Sequence, residues 1–587
     1  MVLGTHGALR VTSLPCNMNL TTMATAAAIL SYAAAAPLLA LPDFPDHLLY
    51  LPTNLLVDAN VDRNIDLFRR ARAAGYTGVL LADSKFSRLA DLPDRYFANC
   101  RRLQAAADAE HLELIPAVFP IGYSNDLLSQ DPNLAEALPV REATFIVRGN
   151  TATLDPDSGA RFAAGDMGDL SKWTWHDPTV TADNGAARVT NPKGNNARLV
   201  QKLTLIPFRQ YHVSVRIRTQ EFRGTPEIKA LATPPGGKGE APSLLFSSLG
   251  VKPTQDWTVH HAVFNTLENS EVSIYLGCWD GSTGSLWWDD AAIEEVGLLN
   301  VVRRAGAPLT LSLEGAPTGQ PGVSSPTRLQ LIEGTDFEPI KDPDMGVHPW
   351  PGSYDIYHTP PSITLKKPLP GGTRLRVSYH HVVTVNDGQV MICPSEPRTV
   401  ELLRDQARRM HDLWHARAYF MSHDEIRCLN QDESCRARNL TPGQILADNL
   451  RACTQILKDT SPGGRIYVWS DMFDPHHNAV STGRYYLVRG DLTGSWDGLD
   501  KDTIVACWYF DRRADSMKFF ADRGNPLLLA GYYDGPPGKG IAQIVDWLAS
   551  VPPGATLRGV MYTTWEQRYK DLEAFAARAW TGRASPP

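Results

Sequence analysis

No two cysteines in this sequence are spaced as a CxxC pair. The eight lie at 16, 100, 278, 393, 428, 435, 453 and 507. That spacing speaks against a zinc ribbon. Cys428 and Cys435 could bridge a short loop; free thiols are the alternative. A basic block is also missing, and the formal net charge is −7. Nucleic-acid binding needs a positive patch to meet the phosphates, so it is not expected. No Gly-rich phosphate loop follows the first apolar strand, which removes the main signature of an open nucleotide-binding sheet. No internal repeat has a fixed period. Past residue 40 no apolar run is long enough to cross a bilayer.

What remains is the composition of a soluble globular protein, with 43% hydrophobic and 21% charged residues. At 587 residues one core is too few, and two to four domains are expected. The first 40 residues carry Arg10 and then the Ala-rich run "MATAAAILSYAAAAPLLA". This reads as a secretory signal with small residues near Ala36 or Ala40 as a cleavage site. A secreted or periplasmic location is expected, with no membrane contact once the signal is removed.

From residue 41 the pattern alternates strand and helix. "HLLYLPTN", "YTGVLLADS" and "LELIPAVFPIGYS" read as strands, separated by amphipathic stretches. The alternation stops near 141. Residues 142–298 are rich in Trp, Thr and Gly and read as a β-sandwich. Residues 299–390 form a second, smaller β-rich stretch. The βα alternation resumes at 391 and runs to 587. There "TPGQILADNLRACTQILKD" starts as a helix should, with Thr441 as cap, Pro442 in the first turn and Gln444 closing a capping box. Three strands before the interruption and five after it make eight. The fold class expected is α/β: a (β/α)8 barrel interrupted by a β-sandwich and a small second β domain.

In such a barrel the side chains that do chemistry sit at the C-terminal ends of strands. "RAYFMSHDEIR" (417–427) passes from an apolar run straight into charge, ending in Asp424 and Glu425. Other strand ends behave alike: Asn54; Trp469 and Asp471; Trp508 and Asp511; Tyr532, Tyr533 and Asp534; Trp565 and Glu566. An aromatic bowl holding carboxylates suits a neutral carbohydrate, because rings stack on C–H faces while carboxylates take hydroxyls or assist bond cleavage. Competing readings exist for each residue. Asp424 and Arg427 could be an ion pair that ends the strand. His423 suits a hydrogen-bonded place behind the site. The Trp residues could be core. Of Tyr532 and Tyr533, one at most faces a ligand, since neighbours on a strand point opposite ways. "DMFDPHHN" offers Asp471, Asp474, His476 and His477 as ligands, but the spacing matches no helix-borne zinc motif. No metal or cofactor is expected.

These residues carry a resemblance. "VMICPSEPRTVELLRDQARRMHDLWHARAYFMSHDEIR", "VWSDM" and "MYTTWE" resemble segments of glycoside hydrolase family 20, the β-N-acetylhexosaminidases, over roughly the second half of the barrel. The family usually has Gly-Gly before its Asp-Glu pair, whereas Ser422 and His423 stand here. The resemblance implies that Glu425 is the general acid/base. It implies that Asp424 orients the 2-acetamido group, whose carbonyl attacks the anomeric carbon, so that no enzyme nucleophile is needed. The other substrate contacts would come from Asn54, His423, Arg427, Trp469, Asp471, Trp508, Tyr533, Asp534, Trp565 and Glu566. "LVQKLTLIPFRQYHVSVRIRT" and "GSLWWDDAAIEEV" resemble a jelly-roll carbohydrate-binding module, in which Trp173, Trp175, Trp257, Trp279 and Trp287 are candidates for glycan contact. The expected activity is an exo-acting glycoside hydrolase. The alternatives are a retaining glycosidase pairing Glu425 with Asp534 or Glu566, and a non-catalytic glycan-binding protein.

Overall fold

The computed structural model describes residues 44–581, apart from 191–194, 235–240, 280, 315–328, 387, 483 and 536–537. The signal-like segment lies outside the described residues. Eight parallel strands close into a barrel in chain order: Asp46–Pro52, Gly78–Ala82, Glu113–Val118, Ala418–Met421, Arg465–Trp469, Ile504–Cys507, Leu527–Tyr532 and Leu557–Thr563. The last pairs with the first, Leu48 opposite Met561. Every residue of Ala418–Met421 and of Leu527–Tyr532 is buried, as a strand covered on both faces requires. Alternate residues point inward. Leu48, Tyr50, Phe420, Tyr467, Trp469 and Leu528 fill the barrel interior, while Leu49, Tyr419, Met421, Val468 and Leu529 pack outward.

Helices join most of these strands, and an amphipathic helix turns its apolar stripe to the core. In Pro397–Trp414 the stripe is Leu403, Ala407, Met410 and Trp414, at spacings of three and four. Its end is capped by His415 at φ 47°, in a left-handed position that glycine often fills. Helix Pro442–Thr460 has the expected capping box between Thr441 and Gln444. One connection departs from expectation. Between Trp469 and Ile504 the described residues make only 3₁₀ turns (Asp471–Phe473, Ser495–Gly498) and the two-residue strand Leu487–Val488, where the sequence reads as helix-compatible. Its sequence, "DPHHNAVSTGRYYLVRGDLTGSWDGLD", is rich in Gly, Asp and His and holds no sustained helical stripe.

The third and fourth barrel strands are separated by antiparallel sheets. Two sheets of five strands each run through residues 175–296. Tyr211, Val213 and Ile217 of one and Leu199, Ile228 and Ile274 of the other belong to one apolar cluster, the arrangement of a β-sandwich. A third sheet has six strands, centred on the pair Arg374–His381 and Leu138–Arg148. It draws its strands from both sides of the sandwich, and Leu138–Arg148 runs across the expected boundary at 142. The described residues therefore comprise a closed parallel barrel and antiparallel β-sheet layers. No helix among them is long and apolar enough to cross a membrane.

Candidate active site at the barrel mouth

Regular pairing of the fourth strand stops at Met421. The chain then leaves strand geometry, and Glu425 sits at φ 51°. A left-handed backbone costs an ordinary residue roughly 1 kcal/mol or more, so its surroundings must hold it. Several contacts do. The Glu425 N–H donates to Asp471 Oδ2 at 2.9 Å. Gln389 Nε2 donates to the Glu425 carbonyl at 2.9 Å and to the Gly122 carbonyl at 2.7 Å. The loop after the third strand presses in from the other side, where a Cβ on Gly122 would lie 2.1 Å from the Asp424 carbonyl oxygen. Only glycine allows that approach. This turn lets two adjacent carboxylates face one cavity, which a continued strand would forbid.

The cavity measures about 530 Å³, within the range of small-ligand sites. Its aromatic lining is Tyr50, Phe86, Tyr123, Trp469, Trp508, Tyr533 and Trp565. Tyr50, Trp469 and Trp565 form a triangle with ring centroids 4.7–5.9 Å apart. Trp508 and Tyr533 stack nearly parallel at 5.4 Å. Trp565 is 41% and Tyr533 38% exposed. Large aromatic surface left open around a concave site is suited to an apolar ligand face.

Three carboxylates among the described residues line the cavity: Asp83, Asp424 and Glu425. Asp83 is occupied structurally, accepting from the Leu55 and Lys85 N–H groups and from the Tyr96 hydroxyl. Glu425 accepts the Tyr123 hydroxyl proton and pairs with Arg427 at 2.8 Å. Both contacts use Oε2. Arg427 is itself buried and donates to Gln389 Oε1 at 2.6 Å. Burial above all, then the charges of Asp471 and Glu425, pushes the Asp424 carboxyl well above the usual range. Burial pushes Asp471 up to about 7. Two neighbouring carboxyls in one desolvated site do not ionise together easily.

Of the expected site residues, Asp424, Glu425, Trp469, Trp508, Tyr533 and Trp565 line the cavity. The others stand elsewhere. His423 is fully buried behind the pair, bonded to Asn449 at 3.0 Å, and burial lowers its imidazole to about 4. Asp471 is also buried, bonded to Glu425 N, Asn478 and Trp508. Arg427 reaches the pair from behind. Asn54 accepts from the Leu56 N–H. Asp534 caps the loop after the eighth strand, accepting from Thr564 Oγ1 and from the Trp565 and Glu566 N–H groups. Glu566 pairs with Arg568 and is exposed. Asp534 and Glu566 thus fall outside the cavity lining. Tyr532 instead stacks on Tyr562 at 4.2 Å.

Sequence reasoning missed Tyr50, Tyr123 and Gln389. Tyr50 sits inside an apolar strand and looked like core, which it also is. Tyr123 fell within a stretch read as strand, although the strand ends at Val118. Gln389 carried no signal. Asp471, Asp474, His476 and His477 do not converge as a metal site; the Asp474 carboxylate caps His476 N, and His477 stacks on Tyr509. Cys428 and Cys435 are free, buried thiols. In the sandwich, Trp173 is buried with its N–H on the Ala164 carbonyl, and Trp287 is buried with its N–H on Asp183. Trp175 is exposed beside Arg198, and Trp279 lies beneath the Lys229 ammonium.

No protein-family profile matches the sequence, and no curated protein matches it. Among solved structures, the rhamnosidase from Novosphingobium sp. PP1Y matches over 89% of this chain and 55% of its own, at 12% identity and a TM-score of 0.30. The chitobiase FjGH20 of Flavobacterium johnsoniae matches over 32% of this chain and 30% of its own, at 17% identity and a TM-score of 0.24. The CBM22-1 xylan-binding domain from Paenibacillus barcinonensis Xyn10C matches over 22% of this chain and 83% of its own, at 14% identity and a TM-score of 0.17. These structural neighbours are glycoside hydrolases and a carbohydrate-binding module. TM-scores of this size assign neither family nor activity.

Proposed function

We propose that this protein is a glycoside hydrolase that releases a terminal β-linked N-acetylhexosamine, with the sugar itself supplying the nucleophile. One observation carries the reading. Among the described residues, Asp424 and Glu425 are the cavity carboxylates not already committed to backbone capping, and they are adjacent in the chain. A conventional retaining pair needs a second carboxylate across the scissile bond, about 5–5.5 Å away. Asp534 and Glu566, the later-strand candidates, do not line the cavity. A 2-acetamido sugar removes the need, because its carbonyl oxygen attacks the anomeric carbon.

In this mechanism Glu425 gives its proton to the leaving oxygen as the C1–O bond breaks and the acetamido oxygen bonds to C1. It then takes a proton from the water that reopens the cyclic intermediate. The configuration at C1 is retained. Arg427 and Tyr123 hold Oε2, which leaves Oε1 for the substrate. Asp424 accepts the acetamido N–H, a bond that favours its ionised form. The Tyr50, Trp469 and Trp565 rings supply an apolar cup for the acetamido methyl.

The test is initial-rate hydrolysis of aryl β-N-acetylglucosaminide beside aryl β-glucoside and β-galactoside. Selective cleavage of the acetamido sugar is expected, with kcat lowered about 10²–10⁴-fold in Glu425→Gln and in Asp424→Asn. A dinitrophenyl leaving group, which needs no protonation, should restore Glu425→Gln but not Asp424→Asn. Cleavage of the plain glucoside at an equal rate would overturn substrate assistance. Saturable glycan binding without turnover would make the barrel a binding protein.

A further inference from the structure

A second cluster of reactive side chains lies apart from the cavity. Glu136, Cys393, Asp432 and Cys435 are all buried, with one ligand-type atom from each within 4.8 Å of the others. The Cys393 and Cys435 sulfurs are 3.6 Å apart. Cys435 Sγ is 3.2 Å from Glu136 Oε2, and Cys393 Sγ is 3.6 Å from Asp432 Oδ1. A tetrahedral zinc ion with bonds of about 2.3 Å to sulfur and about 2.0 Å to oxygen has edges of about 3.3–3.8 Å between its ligands. The two separations of 3.6 Å fall within that range, and the 3.2 Å one lies just below it.

The surroundings fit as well. Each carboxylate turns one oxygen to the cluster and has the other held from outside: Glu136 Oε1 by the Gln431 N–H at 2.7 Å, and Asp432 Oδ2 by Arg304. Ser395 Oγ is 3.1 Å from Cys435 Sγ. Such outer contacts orient ligands at metal sites. Asp432 Oδ1 also accepts the Cys435 N–H at 3.0 Å. The two thiol protons point at the two carboxylates, so exchanging them for one divalent cation leaves the charge of this buried site unchanged. Soft sulfur donors select zinc over magnesium or calcium.

The geometry points to a closed structural zinc site formed by Glu136, Cys393, Asp432 and Cys435. Binding is an exchange: two S–H bonds break, two Zn–S bonds form, and two protons leave to solvent. The site would clamp three segments together: the entry to the six-stranded sheet, the start of helix Pro397–Trp414, and the loop that follows Asp424–Glu425.

The experiment uses the full chain, stripped with chelator and titrated with zinc chloride. One zinc per chain is expected, with protons released on binding. The thermal midpoint should rise on loading, and cobalt chloride should give thiolate-to-metal absorption. Cys435→Ser should lose the bound metal, while Cys453→Ser, altered at a buried thiol elsewhere, should keep it. A folded wild-type chain that takes up no zinc overturns the site whatever the variants do. So does a thiol count showing Cys393 and Cys435 joined as a disulfide.

Discussion

At the scale of single residues, the site rests on unequal environments given to similar groups. Asp424 and Glu425 are neighbours, yet one is walled in by rings and carboxyls while the other meets Tyr123 and Arg427. Asp471 is the supporting residue. It never reaches the cavity, but one of its oxygens takes the Glu425 N–H and the other takes the Trp508 indole at 3.3 Å. Its cost is visible in its titration. Burial pushes it to about 7, so in the folded state it keeps its proton from about pH 4 to about pH 7, where the unfolded chain has released it. The folded state binds more protons over that window, so this group makes stability fall as pH rises, by up to about 1.4 kcal/mol per pH unit. Asp471→Asn keeps an acceptor for the Glu425 N–H and removes the titration. Chemical denaturation at several pH values should show a flatter profile in Asp471→Asn than in the wild type between about pH 4 and 7. Equal slopes would mean that Asp471 is ionised in the fold.

At the scale of elements, the decisive feature is where a strand stops. The fourth strand has to end at Met421 for Glu425 to swing to φ 51°, and Gly122 makes the room. Gly122→Ala places a methyl against a backbone carbonyl that cannot rotate away. The expected result is a fall in kcat of about 100-fold, as for a displacement near 1 Å, with a much smaller change in thermal midpoint than a core cavity gives. A variant that melts early but turns over normally would show that the turn moves without harm to catalysis. The strand itself was legible in sequence, because "AYFM" followed by "SHDE" is an apolar run meeting charge, and most of the barrel strands announce themselves in a similar way. The Thr441–Gln444 capping box was legible for the same local reason. What lay beyond local pattern was anything that arrives from far along the chain. Gln389, 36 residues before Glu425, and Gly122, some 300 before it, reach the turn only because the barrel brings their segments together. The fifth crossover was misjudged because helix-compatible composition is a weaker signal than a sustained apolar stripe.

At the scale of the molecule, the question is how sheets inserted into one barrel connection stay joined to it. Arg209 stands at that joint. It lies on the sandwich, is almost fully buried, and donates to the carbonyls of Arg141 and Glu142 on the six-stranded sheet. It also pairs with buried Glu295 at 3.0 Å. Burial raises the Glu295 carboxyl to about 7, with Arg209 pulling it back down. Asn265 reinforces the seam through the Pro139 carbonyl at 3.1 Å and His381 at 2.8 Å. Both groups bond backbone carbonyls across the seam, so the sandwich and the six-stranded sheet should unfold together. Removing the guanidinium strands Glu295 without its cation, and breaking a buried pair on one side costs about 3–5 kcal/mol. Arg209→Leu should therefore lower stability by that amount and split a single calorimetric transition into two, the sandwich melting first. The double variant Arg209→Leu with Glu295→Leu removes the stranded charge and should recover most of the loss. If the single variant melts in one unchanged transition, the seam is held by apolar packing and the buried pair is incidental to it.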